Sequence, residues 1–421
     1  MKKLPQRHNT KAFLRRCYWQ LLYVLAYMWR RLLWRTTFVA ITGSVGKTTT
    51  KECLAAIFSA HFRTAKTLNN QNDYSGVPRT ILRVRPWHRF AVVEVGTDRP
   101  GLMRRSARLV RPDIAIVLTV ARTHTTVFAT LDDTAAEKAQ LLAALPRTGV
   151  AILNANDPRV HKMASSCRCP VKTFGRSAGL DLWADEISSK WPARLTLQVH
   201  TASETQWVQT HLVGAHWGNA VLAALSAALA GGIPLRTAAS DIARVKPFTA
   251  RMQPVRLPSG ATIIRDEENG SPDTLQAALQ VLQESVALRR ILVMSDISDS
   301  RQKPRDRLKE LGKIAAQVAD LAIFIGAHGQ YAVKAATASG LPPECVCSFT
   351  DMSQAALYLR AVLRHGDVVL LKGRSTDHLS RVFFAQFGTI GCWKTTCYKT
   401  SVCDLCEQLR PEFDLHAVLQ A

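Results

Sequence analysis

The run Ile41-Thr42-Gly43-Ser44-Val45-Gly46-Lys47-Thr48-Thr49-Thr50 carries the residue types that handle a triphosphate. Glycines let a backbone wrap phosphate oxygens closely, a lysine brings positive charge, and a hydroxyl directly after it can ligate Mg²⁺. Phe38-Val39-Ala40-Ile41 reads as a short apolar strand entering the loop, and residues 51–58 have helical spacing leaving it. In such a strand–loop–helix the amides at the helix start face the phosphates. Gly43, Ser44, Val45, Gly46, Lys47, Thr48 and Thr49 are therefore expected to bind ATP, with Thr48 on Mg²⁺. The loop is short: only Ser44 and Val45 separate its two glycines, where four residues are usual. An accidental glycine turn is the rival reading, and the fit of all three parts disfavours it.

The elements that must position this loop follow from periodicity. Residues 90–95, 114–119 and 150–154 are apolar runs that read as buried strands alternating with helices, the pattern of a parallel sheet covered on both faces. Residues 170–212 alternate polar with apolar, as expected of antiparallel strands at one edge, and residues 220–230 form an alanine- and leucine-rich helix closed by Gly231-Gly232. A second alternating unit starts near Pro247, with strands at 262–266, 290–294, 321–325 and 367–371 and helices at 273–282 and 305–318. The expected fold is α/β: a central doubly wound parallel sheet with its phosphate loop over 38–245, then a smaller Rossmann-like α/β domain over 246–388. A basic aromatic arm (1–37) and a cysteine-rich tail (389–421) flank them.

A chain of 421 residues with 47% hydrophobic residues can bury the cores of two such domains. The net charge of +23 calls for an anionic partner, and nine of the positive residues fall in the first 37 positions, which hold no acidic residue. Within that arm, residues 17–29 are apolar and aromatic between Arg15-Arg16 and Arg30-Arg31. Thirteen residues are too few to cross a bilayer, which takes about 20, and no small-residue cleavage site marks a signal peptide. Two readings remain: a helix lying at a membrane surface, which the flanking arginines and tryptophans favour, and a helix packed on the protein's own body. Nucleic acid is a poorer match because no recognised nucleic-acid module accompanies the charge. With an ATP site and no secretion signal, the ten cysteines are expected in the reducing cytoplasm and not in a disulfide framework. Cys392, Cys397, Cys403 and Cys406 place four thiols within fifteen residues, enough for a structural Zn²⁺. The spacing is not that of a standard zinc ribbon, and unliganded cysteines are the favoured alternative.

Several stretches, in order, resemble the Mur ligase family of ATP-dependent amide ligases, most closely the branch that adds D-alanyl-D-alanine. The resemblance runs over residues 38–385: the phosphate loop, then Asn69-Asn70 with Gly76-Val77-Pro78, Glu94-Val95-Gly96 with Pro100-Gly101, and His124. Lys138 within Ala136-Glu137-Lys138-Ala139 follows, then Asn154-Ala155-Asn156-Asp157, Arg251-Met252, Asp266-Glu267-Glu268-Asn269 and Lys372-Gly373. The resemblance implies that ATP phosphorylates a substrate carboxylate and that an amine attacks the acyl phosphate. It implies that Lys47 holds phosphates, that Glu94 binds Mg²⁺, and that His124 helps to bind a second metal ion. Lys138 would be carbamylated, turning a cation into an anion able to hold Mg²⁺. Arg251, Asp266, Asn269 and Asn219 would contact ATP, over which the two domains would close. The bland alternatives are a solvated strand-end carboxylate, a loop histidine, a surface lysine and ordinary turn residues.

The chain also departs from the family pattern. Only the basic arm precedes the loop in this sequence, so a UDP-sugar-binding domain is not expected, and the carboxylate would be lipid-linked or polymeric in place of a soluble UDP-sugar. Gly214-Ala215-His216-Trp217-Gly218-Asn219 brings the family's asparagine one position early. Ser295-Asp296 stands where Gly-Asp is usual, and Leu308 where a histidine is usual. These changes bear on the amine-side substrate. The expected protein is an Mg²⁺-requiring carboxylate–amine ligase, cytoplasmic or peripheral on the inner face of the cell membrane. Its rivals are an inactive ATP-binding scaffold at the membrane and a simple NTPase acting on nucleic acid.

Overall fold

In the computed structural model, which describes residues 8–121, 127–298, 300, 302–399 and 403–420, the chain divides into two units. The first takes in residues 1–186, 197–208 and 218–244, and the second residues 187–196, 209–217 and 245–421.

Unit 1 begins with helix α1 (His8–Leu32) and continues through β1 (Thr37–Thr42), α2 (Lys47–Ser59), β2 (Thr64–Lys66), α3 (Gly76–Arg83), β3 (Phe90–Glu94), α4 (Leu102–Val110) and β4 (Ile114–Val117). Then come α5 (Leu131–Ala139), β5 (Val150–Asn154), α6 (Pro158–Lys162), β6 (Val171–Gly175), β7 (Leu182–Ser188), β8 (Thr196–His200), β9 (Thr205–Gln209), α7 (Gly218–Ala230) and α8 (Leu235–Ile242). The strands run β2-β3-β1-β4-β5-β6-β7-β8-β9 across one sheet, parallel from β2 to β7. Period-two alternation sends Phe38, Ala40, Ala91, Val93, Ala115 and Val117 into one core with α1, α3 and α4. The intervening residues Val39, Ile41, Val92 and Ile116, equally buried, face the other side, where α2, α7 and α8 pack on one another. This is why the strands are apolar at every position. The edge differs in part from the antiparallel arrangement expected of residues 170–212: β7 pairs parallel with β6, while β8 turns into β9 within four residues, too tight for a parallel crossover.

The arm lies on the body of unit 1. Trp19, Leu22, Tyr23, Ala26, Trp29, Arg30 and Leu33 recur at helical spacing on the covered face of α1. Trp29 donates to the Val84 carbonyl at 2.8 Å, and Arg30, stacked 3.8 Å over the Phe38 ring, donates to the Val110 and Arg111 carbonyls at 2.6 and 2.7 Å. Packing on the body therefore accounts for one face of the helix.

Unit 2 contains β10 (Gln253–Arg256), β11 (Thr262–Asp266), α9 (Pro272–Glu284), β12 (Arg289–Met294), α10 (Pro304–Val318), β13 (Leu321–Ile325) and α11 (Gly329–Ala338). It ends with β14 (Val346–Phe349), α12 (Met352–Val362), β15 (Asp367–Lys372), α13 (Ser380–Phe384) and α14 (Leu415–Gln420). Its strand order is β10-β11-β15-β12-β13-β14, parallel except for the β10–β11 hairpin. The cysteine-rich tail joins this core: Ile390, Cys403, Leu409 and Val418 pack with Ile263, Val369 and Phe383. A buried charge fastens it. Arg265 donates to Glu267 at 2.6 Å and grips both Asp404 oxygens at 2.7 and 2.9 Å, with its guanidinium 4.2 Å over the Phe383 ring.

The tail does not assemble the zinc cluster considered for Cys392, Cys397, Cys403 and Cys406. Among the described residues no three metal-ligating side chains converge. Cys403 is turned inward against His378 Nδ1 at 3.6 Å, and burial pushes its thiol up to about 12; Cys406 instead receives the Lys399 ammonium at 3.1 Å. The apolar core and the Arg265–Asp404 pair anchor the tail to unit 2.

Candidate active site

Parallel strands bring their carboxyl ends to one edge, and in unit 1 the order β3-β1-β4-β5 lines up four chemically distinct loops there. At the end of β1, Gly46 takes φ 87° as the residue before α2, a conformation that favours glycine. A Cβ on Gly43 would stand 2.7 Å from Leu118 Cβ, so the loop closes tightly on the end of β4. Ser44 N donates to Thr119 O at 2.8 Å, and Ala121 N donates to Ser44 Oγ at 2.9 Å. Lys47 is curled over the loop, its ammonium donating to the Gly43 carbonyl at 2.7 Å and the Ser44 carbonyl at 3.3 Å.

Register pairs Ile41 with Glu94 on the neighbouring strand, which brings that carboxylate beside the helix start. Glu94 Oε1 accepts from Thr48 Oγ1 at 3.2 Å and from Asn72 Nδ2 at 2.6 Å. Oε2 is buried with no hydrogen-bond partner among the described residues and sees Lys51 Nζ at 3.5 Å. A buried carboxylate oxygen left over beside a threonine hydroxyl suits a hard divalent cation, which takes oxygen ligands. Thr48 and Glu94 thus fit Mg²⁺. His124 lies outside the described residues.

Lys138 sits in the last turn of α5, whose start carries a reciprocal cap between Thr130 and Asp133. It is 4% exposed, and burial together with nearby Lys47 lowers its ammonium to about 7. Its neighbour Glu137 is committed elsewhere, accepting from Gly101 N at 2.9 Å, Met103 N at 2.8 Å and Thr97 Oγ1 at 3.3 Å. Those bonds tie the Pro100-Gly101 turn to α5. On the other side of the loop, Asn219 at the start of α7 accepts from Asn156 Nδ2 at 3.0 Å, and Ala220 packs near Gly46. Asp157, from the same loop as Asn156, holds Val120 N at 2.7 Å.

Lys51, Asn72 and Glu137 are site residues that the sequence reading did not single out. Lys51 is fully buried and donates to the Asn69 carbonyl at 2.5 Å, joining the 69–72 loop to Glu94. Its one legible signal was a lysine on what otherwise reads as the buried face of α2.

In unit 2 the candidate residues gather around β11 and β15. Asp266 is ion-paired with Lys372 and accepts from Met252 N at 3.1 Å, so both of its oxygens are engaged within the unit. Lys372 also donates to the Asn269 carbonyl at 2.7 Å, and Asn269 Oδ1 accepts from Ser271 N at 3.0 Å. Asp266 and Lys372 therefore shape the 266–271 loop. Arg251, next to Met252, is half-buried. His216 is enclosed beside Lys372, and burial lowers its imidazole to about 3, so it is neutral at physiological pH.

Ser295, Asp296 and Leu308, where the chain departs from the family pattern, line a separate cavity of about 350 Å³ at the carboxyl ends of β12, β13 and β15. Ser295 Oγ donates to Asp377 at 2.6 Å, and Asp296 accepts from Arg307 Nε at 2.6 Å. Leu308, Arg374, Arg381 and the tail residues Trp393 and Lys394 complete its wall.

A parallel sheet with a phosphate loop, a strand-end carboxylate facing the loop's threonine, and a buried lysine nearby define a P-loop site for phosphoryl transfer from a nucleoside triphosphate. The Mur ligase middle domain model matches residues 41–228, and the Mur ligase, glutamate ligase domain model matches residues 250–375. The chain belongs to the Mur ligase family and is an ATP-dependent, amide-bond-forming ligase. It is 30% identical over 350 residues to the UDP-N-acetylmuramoyl-tripeptide–D-alanyl-D-alanine ligase of Escherichia coli, covering 82% of this chain and 75% of that one. The corresponding Mycobacterium tuberculosis ligase is 28% identical over 366 residues, covering 82% of this chain and 72% of that protein. Among solved structures, MurF from Acinetobacter baumannii superposes with a TM-score of 0.81 at 25% identity, covering 87% of this chain and 80% of that one. MurF from Thermotoga maritima in complex with ADP shares the fold, with a TM-score of 0.75 at 21% identity over 87% of this chain and 82% of that one.

Proposed function

We propose that this ligase joins the carboxylate of a cell-envelope peptide precursor, free, lipid-linked or polymeric, to an amino acid or dipeptide amine. The observation that carries the reading is the convergence of Lys47, Thr48, Glu94 and Lys138 at one sheet edge. In the reaction, a carboxylate oxygen displaces ADP from the γ-phosphorus; the amine then attacks the acyl carbon, phosphate leaves and the nitrogen loses its proton. Mg²⁺, when bound, neutralises phosphate charge. Thr48 and Glu94 would hold it, and His124 is proposed to help bind a second metal ion.

Lys47 leaves the Gly43 and Ser44 carbonyls to meet phosphate oxygens, and the amides from Gly43 to Thr49 line the remainder of the loop. Lys138, with a fraction of neutral amine that an exposed lysine lacks, can add CO₂ and become the anionic carbamate that holds metal. Asn219 is proposed to contact the adenine. Arg251 and Asn269 are proposed as nucleotide contacts, with Asp266 as the residue that shapes their loop. The unit 2 cavity is proposed for the amine substrate: Arg374, Arg381 and Lys394 suit a carboxylate, and Asp296 and Asp377 an ammonium group. The cell compartment proposed is the cytoplasm.

The test is ATP turnover by purified protein with Mg²⁺, screened across envelope precursors paired with amino acids and with D-alanyl-D-alanine, and with Lys47→Ala as control. ADP and phosphate should appear only with a particular carboxylate–amine pair and vanish in the variant. Turnover independent of any amine would refute the assignment.

A further inference from the structure

Helix α1 has a second apolar face that unit 1 does not cover. Tyr18, Leu21, Leu25, Met28 and Leu32 are exposed in steps of three and four residues, joined by Val24 and, just past the helix, by Trp34 at 77% exposure. At about 1.5 Å per residue this stripe is roughly 20 Å long. It runs beside a field of a single sign. The helices packed against α1 on that side of the sheet are α3 and α4. Residues 76–89 carry Arg79, Arg83, Arg85 and Arg89, residues 102–111 carry Arg104, Arg105, Arg108 and Arg111, and α1 with its exit carries Arg16, Arg31 and Arg35; none of these stretches holds an Asp or Glu. The acids at the margins are engaged: Asp73 accepts the Gly76 amide at the start of α3, Asp98 pairs with Arg99, Glu137 accepts the Gly101 and Met103 amides at the start of α4, and Asp113 accepts the Phe38 amide. Exposed Trp34 and Trp87 lie at one end of the layer, where Thr36 Oγ1 donates to His88 O at 2.8 Å and Arg89 donates to Arg35 O at 3.2 Å.

We infer that the α1–α3–α4 face docks on an anionic phospholipid surface. The apolar stripe enters the acyl boundary, the tryptophans sit at headgroup level, and the arginines meet lipid phosphates. Two other occupants match the surface less well. Nucleic acid would leave the apolar stripe without a partner. A second copy could meet the stripe as a short coiled coil, since its spacing is heptad-like, but it would bring arginine against arginine with no acidic residue on these three helices to pair. The inference does not rest on the ligase chemistry, because vesicle binding and turnover are read separately.

The test is co-sedimentation of the full chain with vesicles of phosphatidylcholine alone or mixed with phosphatidylglycerol, at low and high salt. Binding should favour the anionic vesicles by at least about 100-fold and weaken as salt rises, given about fivefold for each arginine near a charged surface. Arg83→Glu/Arg104→Glu/Arg108→Glu should lose at least about 100-fold, and Leu21→Glu/Met28→Glu at least about tenfold, both with wild-type circular dichroism and wild-type ATP turnover in solution. Equal binding to both vesicle types, or no binding to the anionic ones, overturns the inference. So does a concentration-dependent dimer that Leu21→Glu/Met28→Glu abolishes, which would assign the stripe to a second copy.

Discussion

Replacing Lys138 with Met is expected to make the protein more stable and less active. The Lys138 ammonium falls from 10.5 to about 7 on folding, chiefly through burial and secondly through Lys47. Between those values the unfolded chain holds a proton that the folded chain has released, so stability rises with pH across that window. The cost of enclosing the charge is fully present below pH 7 and gone above pH 10.5. At about 1.36 kcal/mol for each pH unit, that interval sets an upper bound of about 5 kcal/mol. Methionine nearly conserves the buried volume and has no charge to desolvate, so Lys138→Met should gain about 2–4 kcal/mol at pH 6 after local relaxation is allowed for. Guanidinium chloride unfolding in CO₂-free buffer at pH 6 and pH 9 measures the gap, which should narrow at the higher pH. Turnover should fall at both. A variant no more stable than wild type at pH 6, or a gap independent of pH, would refute the argument, because the lysine would then not be desolvated.

Other consequences are equally direct. Bicarbonate added to CO₂-depleted wild-type enzyme should restore turnover, and ¹³C NMR with labelled bicarbonate should show a carbamate signal that Lys138→Met lacks. Glu94→Gln should lower kcat on the order of 100-fold while leaving ATP binding nearly intact, since the amide keeps the Thr48 and Asn72 geometry but loses the anionic oxygen; isothermal titration beside turnover separates the two. Asp404→Ala strands the buried Arg265 guanidinium with Glu267 as its remaining anion and should cost about 3–5 kcal/mol by chemical unfolding. Chelation by EDTA should leave the melting temperature unchanged, because the four tail thiols do not converge among the described residues and core packing with that ion pair anchors the tail. His216 is held near 3 against 6.5 when unfolded, so it contributes stability that is lost as pH falls through that window; His216→Phe should flatten acid unfolding there.

The phosphate loop was legible because its chemistry is local: ten consecutive residues hold the glycines, the lysine and the hydroxyl, and the flanking strand and helix announce themselves by hydrophobic period. Strands such as 150–154, 262–266 and 321–325 were readable for the same reason, since burial on both faces leaves a continuous apolar run. The series from Asn69 to Lys372 carried the family by order, without any need to know which residues touch. What each charge does could not be read that way. Lys51 and Lys138 are both lysines on helices, yet one is ion-paired with Glu52 and Glu94 while burial lowers the other's ammonium to about 7. The difference lies in what long-range packing sets beside them. Arg265 and Asp404 are 139 positions apart, and only folding shows that the cysteine-rich tail is fastened by charge and an apolar core. The arm makes the same point: its sequence determined an amphipathic basic helix, whereas the tertiary structure decided which of its two apolar faces is spent on the protein and which is left outward. A sequence period counts apolar residues around a helix, but burial depends on where the neighbouring helices stop.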